Sequence, residues 1–230
     1  EFEYSVDVEG TQNVLEACVA HNVRRIIVTS SGAAYGYYSD NPQWIKETDA
    51  IRGNEEFPYS YHKRLVEEML AHYRKSYPQL EQVIFRIGTI LGKNVNNQIT
   101  NLFEKRFLIG VRHSDSPFVF IWDEDIVQCL VKGIFDDETG IYNVAGNGYV
   151  TIDEIGAMLQ KKVIRFPVSL LKIALFILKR LRLTQYGEEQ LNFLRYRPVL
   201  DNEKLRKQFN YTPKHSSKEA FQMYMKQRQN

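Results

Sequence analysis

The chain has 230 residues, 43% of them hydrophobic, with 30 basic against 28 acidic side chains and a formal charge of +2. That length can bury a sizeable core in one large domain, or in one domain with a small lobe, and the near-balance of charge gives no field-based reason to expect a nucleic-acid partner. Cys18 and Cys129 stand without a C-x-x-C or a nearby histidine pair, which excludes a disulfide framework and a zinc site and fits reduced cytoplasmic thiols.

In chain order, Val8, Val14, Leu15, Ala17, Cys18 and Val19 form an apolar stripe that predicts a helix over 6–21. The β-branched run Ile26-Ile27-Val28 predicts a buried parallel strand over 25–29. Residues 36–57 are polar and hold Gly36, Pro42 and Gly53, which reads as a surface loop able to close over a substrate. A helix over 59–76 follows, with Leu65, Val66, Met69, Leu70 and Tyr73 at three-and-four spacing, and then a buried strand over 83–87.

Further on, a helix is expected over 99–108 and a short strand over 118–121. A helix over 125–135 should turn Ile126, Leu130, Val131 and Ile134 inward, and a strand over 141–144 follows it. Thr151 and Glu154 have the spacing of a capping box that opens a helix to Leu159. The stretch 168–183 is apolar but carries Lys172, Lys179, Arg180 and Arg182, too short and too charged to span a bilayer that needs roughly 20 apolar residues. It can lie on a membrane surface or line a greasy pocket; packing over a smaller lobe, without membrane contact, is the preferred reading. The five histidines have no ligand spacing and are read as structural or solvated, and no metal is expected.

The alternation of strand, helix and strand predicts an α/β protein with a parallel sheet. Within it, Tyr59 and Lys63 lie four apart on one helix face, so an ammonium can sit near a phenol and favour the phenolate. A tyrosine that ordinarily titrates near ~10 then becomes a usable acid or base. Ser30 and Ser31, at the end of the 25–29 strand, could hold a carbonyl or alcohol against Tyr59.

Five blocks in order carry a family resemblance: Asp7 to Cys18; Ser30-Ser31-x-x-x-Tyr35-Gly36; Tyr59-x-x-x-Lys63; Arg86-Ile87-Gly88-Thr89-Ile90-Leu91-Gly92; and the pair Phe120 to Ile126 and Gly140 to Gly146. They resemble the extended short-chain dehydrogenase/reductase family, the NAD-dependent epimerases and dehydratases. The resemblance implies a partial Rossmann-like, doubly wound parallel sheet over 1–146, with a substrate-lobe insertion around 93–116. A mostly helical substrate lobe over 147–230 completes it. It implies hydride transfer on a small molecule such as a nucleotide sugar, with NAD or NADP as cofactor and a homodimer built through the helices at 8–21 and 59–76.

The implied roles are Tyr59 as acid/base, Lys63 as its modulator and ribose anchor, and Ser31 as hydrogen-bond donor to the reacting oxygen. Ser30, Arg86, Gly88 and Thr89 would lie on the cofactor, and Ser31, Ala33, Arg197 and Asp201 on the substrate. Trp122, where relatives often have histidine, is assigned to packing, and Asp7 stands where many relatives carry asparagine. No Gly-rich dinucleotide turn occurs in the 230 residues. The expectation is therefore an N-terminally truncated enzyme, with a catalytically inactive fragment or a cofactor-sensing scaffold as the alternatives. The intact Ser31, Tyr59 and Lys63 favour the enzyme.

Overall fold

A computed structural model describes residues 2–183, 187 and 190–228. The chain opens with α1 (Phe2–Tyr4), a π-helical turn at Ser5–Glu9 and α2 (Gly10–Ala20), then β1 (Arg25–Ser31) and a 3-10 turn at Gly32–Tyr35. After a long connection come α3 (Pro58–Ser76), β2 (Glu81–Ile87), β3 (Thr89–Leu91), α4 (Gln98–Glu104), β4 (Leu108–Val111), β5 (Phe120–Trp122), α5 (Asp123–Phe135) and β6 (Gly140–Val144). The remainder is α6 (Ile152–Leu159), β7 (Val163–Phe166), α7 (Val168–Arg180), α8 (Gln190–Arg195), α9 (Glu203–Lys207) and α10 (Ser217–Arg228).

The main sheet is parallel with order β1-β2-β6, and its register sets Ser31 opposite Ile87 and Ile87 opposite Val144. Both faces are covered, which is why β2 is buried nearly throughout and its centre is the apolar run Val83-Ile84-Phe85. On one face α2 and α3 bring Leu15, Val66 and Leu70 against Ile84. On the other, α5 brings Ile126 and Cys129 against Val83, Phe85 and Ile121. Gly133 of α5 faces the sheet, where a Cβ would make ordinary contact with Ile27 at 3.4 Å and Phe85 at 3.5 Å.

A second layer holds two short parallel pairs, β3 with β5 and β4 with β7, around Phe103, Phe118, Phe120 and Phe221. Fully burying each such ring contributes roughly 1.5–3 kcal/mol relative to leaving it in water. The β4–β7 pairing ties the 93–116 insertion to the segment after 147, so that lobe is not built of helices alone. The α/β class and the partial, doubly covered parallel sheet are as expected.

Four local expectations are corrected. The helix expected over 99–108 ends at Glu104, and Leu108 begins a strand. On α5 the inward stripe is Asp125, Ile126, Cys129 and Gly133, while Val131 and Ile134 face outward. The 36–57 connection is no free flap. Tyr37, Ile45 and Asn54 are buried, the Ile45 N–H donates to Val199 O at 2.8 Å, and Asn54 Oδ1 accepts from Tyr37 N at 2.7 Å. Finally, α7 contributes no buried residue to the lobe it was expected to cover.

Candidate active site

The carboxyl ends of β1 and β2 deliver Ser31, Gly88 and Thr89 to one edge of the sheet, the edge where ligands bind in open α/β folds. Ser31 ends β1 in extended conformation and caps the 3-10 turn, its Oγ accepting from Ala33 N at 3.1 Å. Because that bond uses a lone pair, the hydroxyl proton stays available to donate. Gly36 closes the turn at φ 81°, and a Cβ there would lie 2.4 Å from the Tyr38 ring, so this turn needs glycine.

Helix α3 starts at Pro58, suited to a first helical position because its missing N–H would have had no partner. Tyr59 follows in the first turn and is 45% exposed. Lys63 Nζ lies 5.6 Å from the centre of the Tyr59 ring, so the i, i+4 pair does meet. The next residue, Ser60, is fully buried; its Oγ donates to Ala33 O at 2.6 Å and accepts from Asn54 N at 3.1 Å. That bridge fastens the start of α3 to the turn carrying Ser31. It fixes where Tyr59 stands relative to the strand ends.

Ser30 and Arg86 face inward, into a buried polar cluster. Ser30 Oγ donates to Glu67 Oε1 at 2.6 Å, and Arg86 grips Glu67 through two bonds of 2.9 Å. Arg86 Nη1 also donates to Tyr35 Oη at 2.8 Å, and Tyr35 donates on to Asn143 Oδ1 at 2.8 Å. Burial acts to lower the Arg86 value, but the Glu67 bonds and charge outweigh it and the guanidinium is held above its ordinary range. Tyr35 is pushed up by burial.

A different environment surrounds Arg197. Its guanidinium lies 3.9 Å from the centre of the Phe118 ring and 4.6 Å from that of Phe193. Nη1 reaches Leu194 O at 3.4 Å, but Nε and Nη2 are buried without a hydrogen-bond partner, and no carboxylate pairs with it among the described residues. Burial pushes this guanidinium down to about 9, with the Tyr37 phenol opposing the shift. Tyr37 and Phe57 extend the aromatic box, Tyr37 standing 5.3 Å from Phe193 and 5.5 Å from Phe57 between ring centres. Burial raises the Tyr37 phenol, and the Tyr59 phenol adds to that rise, so Tyr37 links the Tyr59 end of the site to the Arg197 end.

Asp201 is not the ion-pair partner of Arg197. Its Oδ1 accepts from Glu203 N at 2.8 Å at the start of α9, and it lines a cleft of about 280 Å³ with Trp44, Asn147 and Arg206. Ala33 is buried, Gly88 N donates to Val144 O at 2.9 Å, and Trp122 is packed in the core. His62 is buried with Nδ1 3.5 Å from Asp7 Oδ2, on the π-helical turn. No cluster of three metal-ligating side chains occurs among the described residues. The sequence reading missed Glu67, Tyr37, Phe57, Phe118 and Phe193, which reach the site only through tertiary contacts; the aromatic run Tyr35-Gly36-Tyr37-Tyr38 was the one local signal.

Comparison with known proteins fits this geometry. An uncharacterized protein of Mycobacterium tuberculosis is 21% identical over 228 residues, covering 97% of this chain, which spans 60% of that relative's length. The N-acetyl-alpha-D-glucosaminyl-diphospho-ditrans,octacis-undecaprenol 4-epimerase of Escherichia coli O157:H7 is 33% identical over 103 residues, 44% of this chain and 30% of the relative. The solved structure of MoeE5 with UDP-glucuronic acid and NAD has the same fold at a TM-score of 0.73 and 17% identity, covering 97% of this chain and 71% of that one. The sequence model of the NAD dependent epimerase/dehydratase family matches residues 3–144, from α1 through α3 to the end of β6. With the parallel sheet, the serine strand end and the Tyr59–Lys63 helix all inside that match, this chain belongs to the NAD dependent epimerase/dehydratase family.

Proposed function

We propose that this protein epimerises or dehydrates a sugar carried on a diphosphate, with Tyr59 as the acid/base. The observation that carries this reading is the convergence of an exposed phenol, its Lys63 ammonium and a Ser31 hydroxyl with a free proton at the carboxyl ends of parallel strands. UDP-glucuronic acid, bound by MoeE5, and the undecaprenol-linked sugar in the name of the Escherichia coli relative share a sugar-diphosphate linkage. A buried guanidinium with two unpartnered N–H groups suits such a group, since a planar fork donates two bonds at once to a phosphate.

The residues present fit the nicotinamide-ribose half of an NAD cofactor. Lys63 and Tyr59 are accessible donors beside the strand ends, and Thr89 lies at the same edge. The sequence holds no Gly-rich turn, so the pyrophosphate half has no cradle built from these residues. When bound, the cofactor supplies the hydride acceptor and donor. The chain's own part is the proton. The Lys63 ammonium favours the Tyr59 phenolate, Ser31 donates a hydrogen bond to the sugar hydroxyl oxygen, and the phenolate Oη takes the hydroxyl proton and becomes the phenol. Returning the proton resets the site. In this reading α2 and α3 also pair with a second copy, as the outward side chain of Val14 on α2 allows.

Full-length protein carrying Tyr59→Phe, assayed with NAD and UDP-glucuronic acid or the undecaprenol-linked sugar, should turn over roughly 10²–10⁴-fold more slowly than the parent. Cofactor binding, read as a rise in the thermal midpoint, should persist. Turnover equal to the parent's would remove Tyr59 from the mechanism.

A further inference from the structure

The cleft at Asp201 opens at the carboxyl end of β6, the edge of a parallel sheet where ligands bind, yet none of its lining residues belongs to the Ser31, Tyr59 and Lys63 group or to the aromatic box around Arg197. Leu200, 2% exposed, stands between the cleft and the turn that follows Ser31, since a Cβ on Gly32 would lie 3.2 Å from its side chain. At about 280 Å³ the cleft falls just below the roughly 300–1,000 Å³ of small-molecule sites, and it suits a single ring, not a dinucleotide. Its walls are already fixed. Ile45 N donates to Val199 O at 2.8 Å and Asp201 N to Ile45 O at 2.9 Å, which joins the Trp44 side to the Asp201 side. Opposite, Ser217 N donates to Asn147 O at 2.9 Å and Ser217 Oγ to Gly148 O at 2.8 Å. A site held in this way loses little by ordering when a ligand enters.

The bonds within the lining decide what it offers. Asn202 is spent on the fold: its Nδ2 donates to Ala145 O at 2.8 Å and to Asn147 Oδ1 at 2.9 Å, and its Oδ1 accepts from Arg206 Nε at 3.1 Å. With that oxygen engaged, Asn147 presents its amide NH2, and among the described residues both Nη groups of the exposed Arg206 remain as donors. Asp201 Oδ1 accepts from Glu203 N at 2.8 Å, which leaves Oδ2 as an acceptor. Beside these groups stands Trp44, 39% exposed, with the Tyr149 ring 5.8 Å away and inclined at 56°. Rings so inclined form no parallel slot for a flat base. One carboxylate against one guanidinium in the lining leaves no net charge to select an ion. A ring with C–H groups on its face and hydroxyls around its edge matches an indole face, an acceptor and several donors together.

We infer that this cleft binds an uncharged saccharide unit, its C–H face on the Trp44 indole and neighbouring hydroxyls shared between Asp201 Oδ2 and the donors of Asn147 and Arg206. Hydroxyls suit that mixed lining because each both donates and accepts, and the bonds to Asp201 and Arg206 are charge-assisted. The site is a second one for sugar, apart from the strand ends where Tyr59 stands. Leu200 lies between the two.

The test is independent of the catalytic reading. Trp44 and Trp122 are the two tryptophans, and Trp122 is 4% exposed, so emission that iodide can quench reports on Trp44. Cellobiose or N,N′-diacetylchitobiose should shield that emission saturably, whereas sorbitol, which has the hydroxyls without the ring face, should not. Asp201→Asn keeps an acceptor for Glu203 N and so preserves the start of α9, yet it should weaken disaccharide binding about tenfold. Arg206→Gln, at an exposed position, should do so by a similar factor. Trp44→Ala, followed by calorimetry, should weaken it at least about tenfold. Arg197→Met should leave the affinity unchanged. The inference is overturned if neither disaccharide shields Trp44 saturably, if sorbitol shields it equally, or if Asp201→Asn and Arg206→Gln both bind as the parent does. Loss of binding on Arg197→Met would place the sugar in the reacting site and overturn it too.

Discussion

Arg86 and Arg197 are both sealed from solvent, at 3% and 9% exposure, yet the protein treats them in opposite ways. Arg86 has a carboxylate gripped at two points, a hydroxyl and a backbone carbonyl, and its charge is held above the ordinary range. Arg197 has aromatic faces, one long bond to a carbonyl and two N–H groups aimed at nothing, and its charge is held below that range. Leaving buried donors unpaired is costly, and folded proteins tolerate it chiefly where a ligand completes the set. On the proposed function, the difference separates an arginine that maintains the fold from one placed for the substrate's diphosphate.

The largest expected effect breaks the satisfied member. Glu67→Ala strands the Arg86 charge and the Ser30 hydroxyl in the interior and should cost about 3–5 kcal/mol in urea unfolding. Adding Arg86→Met to Glu67→Ala removes the stranded charge, and much of that loss should return. If single and double variants unfold alike, the pair is not what holds Arg86 in place.

Arg197→Met should behave in the opposite manner. No carboxylate partner is lost, only a long bond to Leu194 O and the ring contacts of the charge, and a flexible apolar chain of similar length refills the space between Phe118 and Phe193, so the variant should unfold at the parent's denaturant midpoint or above it. Its affinity for UDP-glucuronic acid should fall by roughly 10–100-fold, measured by calorimetry on the full-length protein. Destabilisation as deep as that of Glu67→Ala, with affinity intact, would erase the distinction between the two arginines.

Much of this was legible in the sequence, and the failures have physical causes. Strands β1, β2 and β6 each hold a short apolar, β-branched run, Ile26-Ile27-Val28, Val83-Ile84-Phe85 and Ile141-Tyr142, so composition alone marks them. Strands β4 and β7 hold four residues each, β4 interrupted by Gly110, and exist because they pair with each other across the lobe. On α5 the sheet is met by Ile126, Cys129 and Gly133, with Leu130 packed beside them, while Val131, Ile134 and Phe135 face outward. A stripe chosen by hydrophobicity therefore finds Ile126 and Leu130 but misplaces Val131 and Ile134.

The site divides in the same way. Tyr59 and Lys63 are four apart on one helix and local spacing finds them. Ser31 and Arg197 were marked by resemblance. Glu67, the partner of Arg86, is 19 residues away in another element, and the rings around Arg197 come from residues 37, 57, 118 and 193. No local period connects such positions. Ser30 and Ser31 are adjacent on a strand, so their side chains leave on opposite faces: one hydroxyl enters the Glu67 cluster and the other stays at the rim.

The smallest effect calibrates both arginines with a charge whose partners could be read from four residues. Glu154 Oε2 accepts from Thr151 N at 2.9 Å, and Thr151 Oγ1 accepts from Glu154 N at 3.3 Å, closing the capping box of α6. The Thr151 N–H, foremost, holds the Glu154 carboxyl below its ordinary value, with Lys218 assisting. A folded value below the unfolded one means that the contribution is complete above the unfolded value and is lost as the pH falls through the folded one. Thr151→Ala should cost about 1 kcal/mol near neutrality, and the gap between variant and parent in urea unfolding should narrow once Glu154 is protonated. Solvent screens this carboxylate, whereas Glu67 and Arg197 lie where water cannot, so a Thr151→Ala loss approaching that of Glu67→Ala would mean that burial does not set the scale of these charges.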